Sequence, residues 1–206
     1  AVDGKGLCPA SCPGPGPQNV LASHTSAHLA EDVTLTLKVS QNLHAELMLH
    51  RLGSWWLGPC STDTKGSTVA GARMRHAFLL NAGLDPADFV FYDGSGLSGH
   101  DLVTPRATAQ LLEYATKQPW FAQWKAALPI GGEDGTLASR FPDPPLKDHL
   151  FAKTGTLGES RALSGYVDTA SGKQVIFSIF VDDHAPSGSD DRAVMDKIVA
   201  AIAAMN

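Results

Sequence analysis

The apolar periodicity of this chain changes from helical to extended near residue 149, and that change decides its fold class. Upstream the spacing is helical. One pattern runs from about Ser26, with Leu29, Val33 and Leu37 on one face, and a second spans Asn42 to Leu52 through Leu43, Leu47 and Met48. A third covers Ser67 to Asn81 and stops at Gly83, because glycine tolerates the left-handed conformation of a helix end. Thr104 before Pro105 is an N-cap and first-turn proline, with Leu111, Leu112 and Ala115 continuing the helix. A short aromatic helix covers Trp120 to Leu128. Downstream the spacing predicts strands at about 149–156, 160–169 and 174–181, the last two joined as a hairpin through Ala170-Ser171-Gly172-Lys173. Helical spacing returns over Asp190 to Met205, with Val194, Ile198 and Ile202. Helices, then three antiparallel strands, then a closing helix make an α+β fold.

Residues 1–23 hold Cys8-Pro9-Ala10-Ser11-Cys12-Pro13-Gly14-Pro15-Gly16-Pro17, which forms neither a regular helix nor a central strand. This segment is expected to be an arm or linker, and 24–206 one folded unit. With 206 residues, 43% of them hydrophobic and 18% charged, the chain can bury one sizeable core. The net charge of −5, with both signs interspersed, leaves no basic face for nucleic acid, so no nucleic-acid partner is expected. No stretch approaches the roughly 20 apolar residues of a membrane helix, and the start lacks a signal-peptide pattern. The chain is expected to be soluble, and either mature or truncated at its start.

Lys153-Thr154-Gly155 lies on the first predicted strand and brings a cation, a hydroxyl and a site without Cβ to a strand edge. An extended peptide can bind such an edge as an added strand. Ser40-Gln41-Asn42 falls between the first two helices, where Ser40 could end one helix and Asn42 cap the next. Cys8 and Cys12 are close enough for a local disulfide, leaving Cys60 over. No further Cys or His pair completes a zinc cage, and His24 and His28, though one helical turn apart, read as surface residues. Neither metal nor cofactor is expected. Asp93, Ser95 and Ser98 surround Gly94 and Gly96 without the Gly-x-Ser-x-Gly pattern, so a structural loop is expected there. Glu133 and Asp134 on their glycine loop are expected to solvate a turn.

Six collinear segments carry a resemblance: Leu21-Ala-Ser-His-Thr-Ser26, Ser40-Gln-Asn-Leu-His-Ala-Glu-Leu47, Tyr92-Asp-Gly-Ser-Gly-Leu-Ser98, Gly132-Glu-Asp-Gly-Thr-Leu137, Ala152-Lys-Thr-Gly-Thr-Leu157 and Leu163-Ser-Gly-Tyr-Val167. Over about residues 20 to 203 the chain resembles the low-molecular-mass class C penicillin-binding proteins, serine D-alanyl-D-alanine carboxypeptidases and endopeptidases of the bacterial cell wall. The resemblance implies a penicillin-binding transpeptidase fold, like that of serine β-lactamases, with a helical subdomain beside a five-stranded antiparallel sheet. This chain is expected to supply the last three strands.

By the same resemblance, Ser40, Asn42 and Lys153 are catalytic residues, and Thr154, Gly155 and Thr156 bind substrate. Ser40 matches a hydroxyl that relays a proton to the departing amine. Asn42 matches the residue that orients the peptide amide, and Lys153 and Thr154 those that bind the terminal carboxylate. The Thr156 N–H matches an oxyanion donor. The implied ligands are peptidoglycan peptides ending in D-Ala-D-Ala and β-lactam antibiotics, and the implied location is periplasmic or secreted, in the bacterial cell envelope. The family's Ser-x-x-Lys motif, with its acylated serine, occurs nowhere in the chain; Thr62 before Lys65 is its nearest imitation. The nucleophile is therefore expected on a missing or separate N-terminal segment, which would be the chain's own partner. Two other readings share the motifs: a non-catalytic peptidoglycan or β-lactam binding module, and a β-lactamase.

Overall fold

A computed structural model describes residues 22–57, 66–183 and 188–205. All but the last two residues of the Pro/Gly-rich arm lie outside these, as do Cys8, Cys12, Cys60, Thr62 and Lys65. Six α-helices are described: α1 (Leu29–Val39), α2 (Asn42–Leu57), α3 (Gly66–Asn81), α4 (Pro105–Thr116), α5 (Phe121–Ala127) and α6 (Asp190–Met205). Two short strands, β1 (Phe89–Val90) and β2 (Leu102–Val103), form an antiparallel ribbon between α3 and α4. The main sheet is antiparallel in the order β3 (Leu150–Leu157), β4 (Ser160–Asp168), β5 (Gln174–Val181). Its strands lie within a residue of their expected positions. β3 and β4 turn through Gly158–Glu159, where Gly158 takes φ +54°, the left-handed conformation that a two-residue hairpin asks of its first loop residue.

Alternation along the strands gives the sheet two different faces. Leu150 and Ala152 of β3, Leu163 and Val167 of β4 and Phe177 of β5 pack against Met195, Val199 and Ala203 of α6. Phe151, Tyr166 and Ile176 point to the other face and meet Leu37 of α1, Leu112 of α4, and Phe121 and Trp124 of α5. Lys153, two residues from Phe151, shares this second face and so looks toward the helical side. That placement is what lets a strand residue reach the end of α1.

Helices α2 and α3 cross closely because Gly71 has no side chain: a Cβ there would lie 2.2 Å from the Leu49 carbonyl oxygen. Gly71→Ala would gain under about 1 kcal/mol of helix propensity. Overpacking two backbones costs about 1–3 kcal/mol and wins. The variant is expected to unfold at a lower denaturant concentration with an unchanged m-value; a midpoint at or above that of the parent would contradict this packing.

Candidate active site

Ser40 ends α1 in the left-handed conformation, φ 57° and ψ 53°, with its N–H donated back to the Thr36 carbonyl. A serine in this region is strained by an amount on the order of 1–3 kcal/mol, which a glycine would avoid. The side chain is used: Lys153 Nζ donates to Ser40 Oγ at 2.8 Å, across 113 residues of sequence. The same ammonium donates to the Thr154 carbonyl oxygen at 2.7 Å. Burial lowers the Lys153 pKa below the ordinary lysine value. Two residues before Ser40, Lys38 ties α1 to the loop after α5, donating to the Leu128 carbonyl at 2.7 Å and to Asp134 Oδ2 at 2.5 Å. Asp134 thus anchors a helix as well as accepting from Ile130 N–H within its own turn, a larger part than the solvated turn expected from the sequence.

Asn42 is the first residue of α2, and its side chain does not cap the helix. Nδ2 donates to the Ser95 carbonyl at 2.7 Å. The loop that supplies this carbonyl is built around Asp93, whose carboxylate accepts from Gly96 N–H, Ser98 N–H and the Ser95 hydroxyl. Burial alone would raise the Asp93 pKa, but these hydrogen bonds outweigh it and hold the carboxyl below its usual range. This is the structural loop expected of Asp93, Ser95 and Ser98.

The outer edge of β3 is closed at its start and open at its end. Ala152 N–H donates to the Pro129 carbonyl, and the Leu150 carbonyl accepts from Gly131 N–H. Since every second residue turns its N–H the same way, Thr154 and Thr156 also turn theirs to this outer edge, away from β4. Gly155 between them would bring a Cβ only to 3.3 Å from the Ala162 Cβ. Thr154 faces the α6 side, opposite to Lys153, where its hydroxyl donates to Thr136 Oγ1 at 2.8 Å. There a cavity of about 240 Å³ is lined by Thr136, Thr154, Thr156, Arg140, Arg161 and Arg192, among others. Arg140 pairs with Asp196 and Arg161 with Asp191, so the three guanidiniums outnumber these two carboxylates.

Residues 10–205 match the D-Ala-D-Ala carboxypeptidase 3 (S13) family. The chain belongs to that family. It is 39% identical over 189 residues to a D-alanyl-D-alanine carboxypeptidase of Actinomadura sp. (strain R39), covering 89% of this chain and 34% of that protein. It is 30% identical over 186 residues to the D-alanyl-D-alanine carboxypeptidase DacB of Haemophilus influenzae, covering 89% of this chain and 37% of that protein. Among solved structures, penicillin binding protein 4 (DacB) of Haemophilus influenzae complexed with a β-lactam superimposes with a TM-score of 0.70 at 26% identity, over 82% of this chain and 40% of that one. A class A β-lactamase from Bacteroides cellulosilyticus shares the fold, with a TM-score of 0.65 at 18% identity, over 85% of this chain and 62% of that one. The chain thus spans little more than a third of the length of the curated relatives it matches. The match is to the low-molecular-mass penicillin-binding proteins, with the α+β transpeptidase fold that the six motifs implied.

Within this S13-family fold, Ser40 and Lys153 are in contact, while Asn42 is engaged with the Ser95 loop and Thr154 looks to the other side of the strand. Thr136, the three arginines and Glu46 were not singled out from sequence. Thr136 and Glu46 carried a signal, since they lie in the Gly132–Leu137 and Ser40–Leu47 segments that matched the family as blocks.

Proposed function

We propose that this chain supplies the C-terminal half of the active site of a serine-type D-alanyl-D-alanine carboxypeptidase or endopeptidase acting on peptidoglycan stem peptides. The observation that carries the reading is the 2.8 Å hydrogen bond from Lys153 to Ser40, which joins two motifs at the open edge of β3. The substrate peptide lies along that edge as an added strand. Its terminal carboxylate meets Lys153 and Thr154, and the arginines behind Thr154 add positive potential. A serine on an N-terminal Ser-x-x-Lys segment attacks the carbonyl between the two D-alanines. The C–N bond breaks, the departing amine takes a proton through Ser40, and the acyl ester is later hydrolysed by water. Asn42 orients the peptide amide, and the Thr156 N–H stabilises the oxyanion. β-Lactams acylate the same serine.

The segment with the serine completes the fold as well as the site. β5 is an edge of the described sheet, and Val194 and Ile198 on α6 are exposed. An unpaired edge beside apolar side chains favours strand addition by that segment. The work of such an enzyme places it in the periplasm or outside the cell.

The reading is tested by incubating the protein purified from its native source with a fluorescent penicillin, then measuring label and intact mass for every chain present. Label on an N-terminal segment carrying Ser-x-x-Lys is the expected result. Absence of label from all material would overturn the acyl-enzyme reading and leave a binding module. Label that is lost within seconds would favour a β-lactamase.

A further inference from the structure

Asn42 and Glu46 lie one turn apart on α2 and therefore share a face. Both reach the Asp93 loop, and both bond to Ser95. Glu46 Oε2 accepts from Gly94 N–H at 2.6 Å and from Ser95 N–H at 3.1 Å, while the Ser95 carbonyl accepts from Asn42 Nδ2 at 2.7 Å. We propose that Glu46 is a positioning residue for Asn42, acting through the Gly94–Ser95 backbone. The proposal rests on the site assignment above and adds to it the device that sets the asparagine's orientation.

An asparagine side chain has nearly the same shape when its amide is turned over, so only its hydrogen bonds decide which end faces the site. Donation to Ser95 turns Nδ2 to the loop and leaves Oδ1 to face elsewhere. The Ser95 carbonyl is a fixed reference only if its loop is fixed. Glu46 fixes it by taking two adjacent backbone N–H groups on one carboxylate oxygen, and Gly94 permits the approach: a Cβ there would stand 2.8 Å from Leu49 Cβ and 3.0 Å from the Ala45 carbonyl oxygen. The Arg75 guanidinium also holds this loop, donating to the Phe91 and Asp93 carbonyls. The other Glu46 oxygen lies 3.1 Å from His50 Nε2. Without the carboxylate, two N–H groups lose their acceptor, the Ser95 peptide can rotate, and Asn42 loses the carbonyl that orients it.

The test is a double-mutant cycle in the full-length protein, read as the second-order rate of acylation by a fluorescent penicillin. Glu46→Ala is expected to slow acylation about 10- to 100-fold, the scale of a misplacement near 1 Å at a reacting centre. Glu46→Gln keeps an acceptor oxygen and is expected to restore most of the rate. In an Asn42→Ala background, Glu46→Ala should cost nothing further, whereas a general structural defect would add its full effect. Wild-type rates in Glu46→Ala, or fully additive losses in the cycle, would overturn the proposal. If the wild-type protein takes no penicillin at all, it is the acylation reading that has failed. The clamp is then judged by amide hydrogen exchange at Gly94 and Ser95, which Glu46→Ala must accelerate at least about tenfold; unchanged exchange rejects it.

Discussion

Lys153→Met, made in the protein that carries its N-terminal segment, is expected to lower penicillin acylation and peptide cleavage by about 10² to 10³. The lysine is the hub of the described site: one ammonium touches the Ser40 hydroxyl and the Thr154 carbonyl and faces the edge where the substrate carboxylate is proposed to lie. Lys153→Arg keeps the charge but replaces a compact ammonium with a planar fork, so it is expected to recover binding more than turnover. Burial, the cause of the lowered Lys153 pKa, also fixes the pH dependence. As pH rises through that lowered value the cation is lost, so activity should fall on the alkaline side before an ordinary lysine would deprotonate. The stability effect has the opposite sense. Between the folded and unfolded pKa values the unfolded chain holds more protons, so stability rises with pH across that window. Below the folded pKa the buried cation carries its full cost, which methionine removes. Lys153→Met should therefore melt at or above the wild-type temperature at neutral pH while losing activity. Loss of activity with a large fall in Tm would instead mean that the site collapsed.

How much of this was legible depended on whether a residue's role is local. The three long strands were read within a residue because β-branched and aromatic runs bounded by glycine and polar turns declare themselves over eight residues. The pairing of Phe89–Val90 with Leu102–Val103 was not read, since two residues have no period and their register is set by a loop tied through Asp93 and by Asp101 accepting from Tyr92 N–H. α2 was expected to end near Leu52 but continues to Leu57, carrying a helical glycine, Gly53, that is buried. At the candidate site, Ser40 and Lys153 were visible because they stand in the short motifs that carry the family resemblance. Arg140, Arg161 and Arg192 were invisible for the opposite reason. Each reads as an ordinary charged residue in its own segment, and only the meeting of β4, α6 and the 136–140 turn makes one basic cavity of them. Lys38 and Asp134 are a similar case, separated by 96 residues and joined only in the fold.

Tyr166→Ala is expected to be the most destabilising single change in the described chain, by about 3–5 kcal/mol. The ring is fully buried on the sheet face that also carries Lys153, with Phe121 edge-on at 5.3 Å and 76°. Its hydroxyl donates to the Leu112 carbonyl of α4 at 2.9 Å, and burial pushes its pKa up to about 12. One side chain therefore ties β4 to α4 and α5, the interface against which Leu37 of α1 also packs. Removing only the hydroxyl costs far less. Tyr166→Phe keeps the packing and leaves a carbonyl that can still take a hydrogen bond within α4, so about 1 kcal/mol is expected. Denaturant unfolding of the two variants separates packing from hydrogen bonding. The consequence for function follows from the same geometry, because Ser40 comes from the helical side and Lys153 from the sheet. Loosening the helix–sheet interface should weaken the contact between them before the sheet itself melts. Tyr166→Ala is then expected to lose acylation below its own melting temperature, while Tyr166→Phe retains it. Full acylation by Tyr166→Ala up to its melting point would show that the site does not depend on this interface.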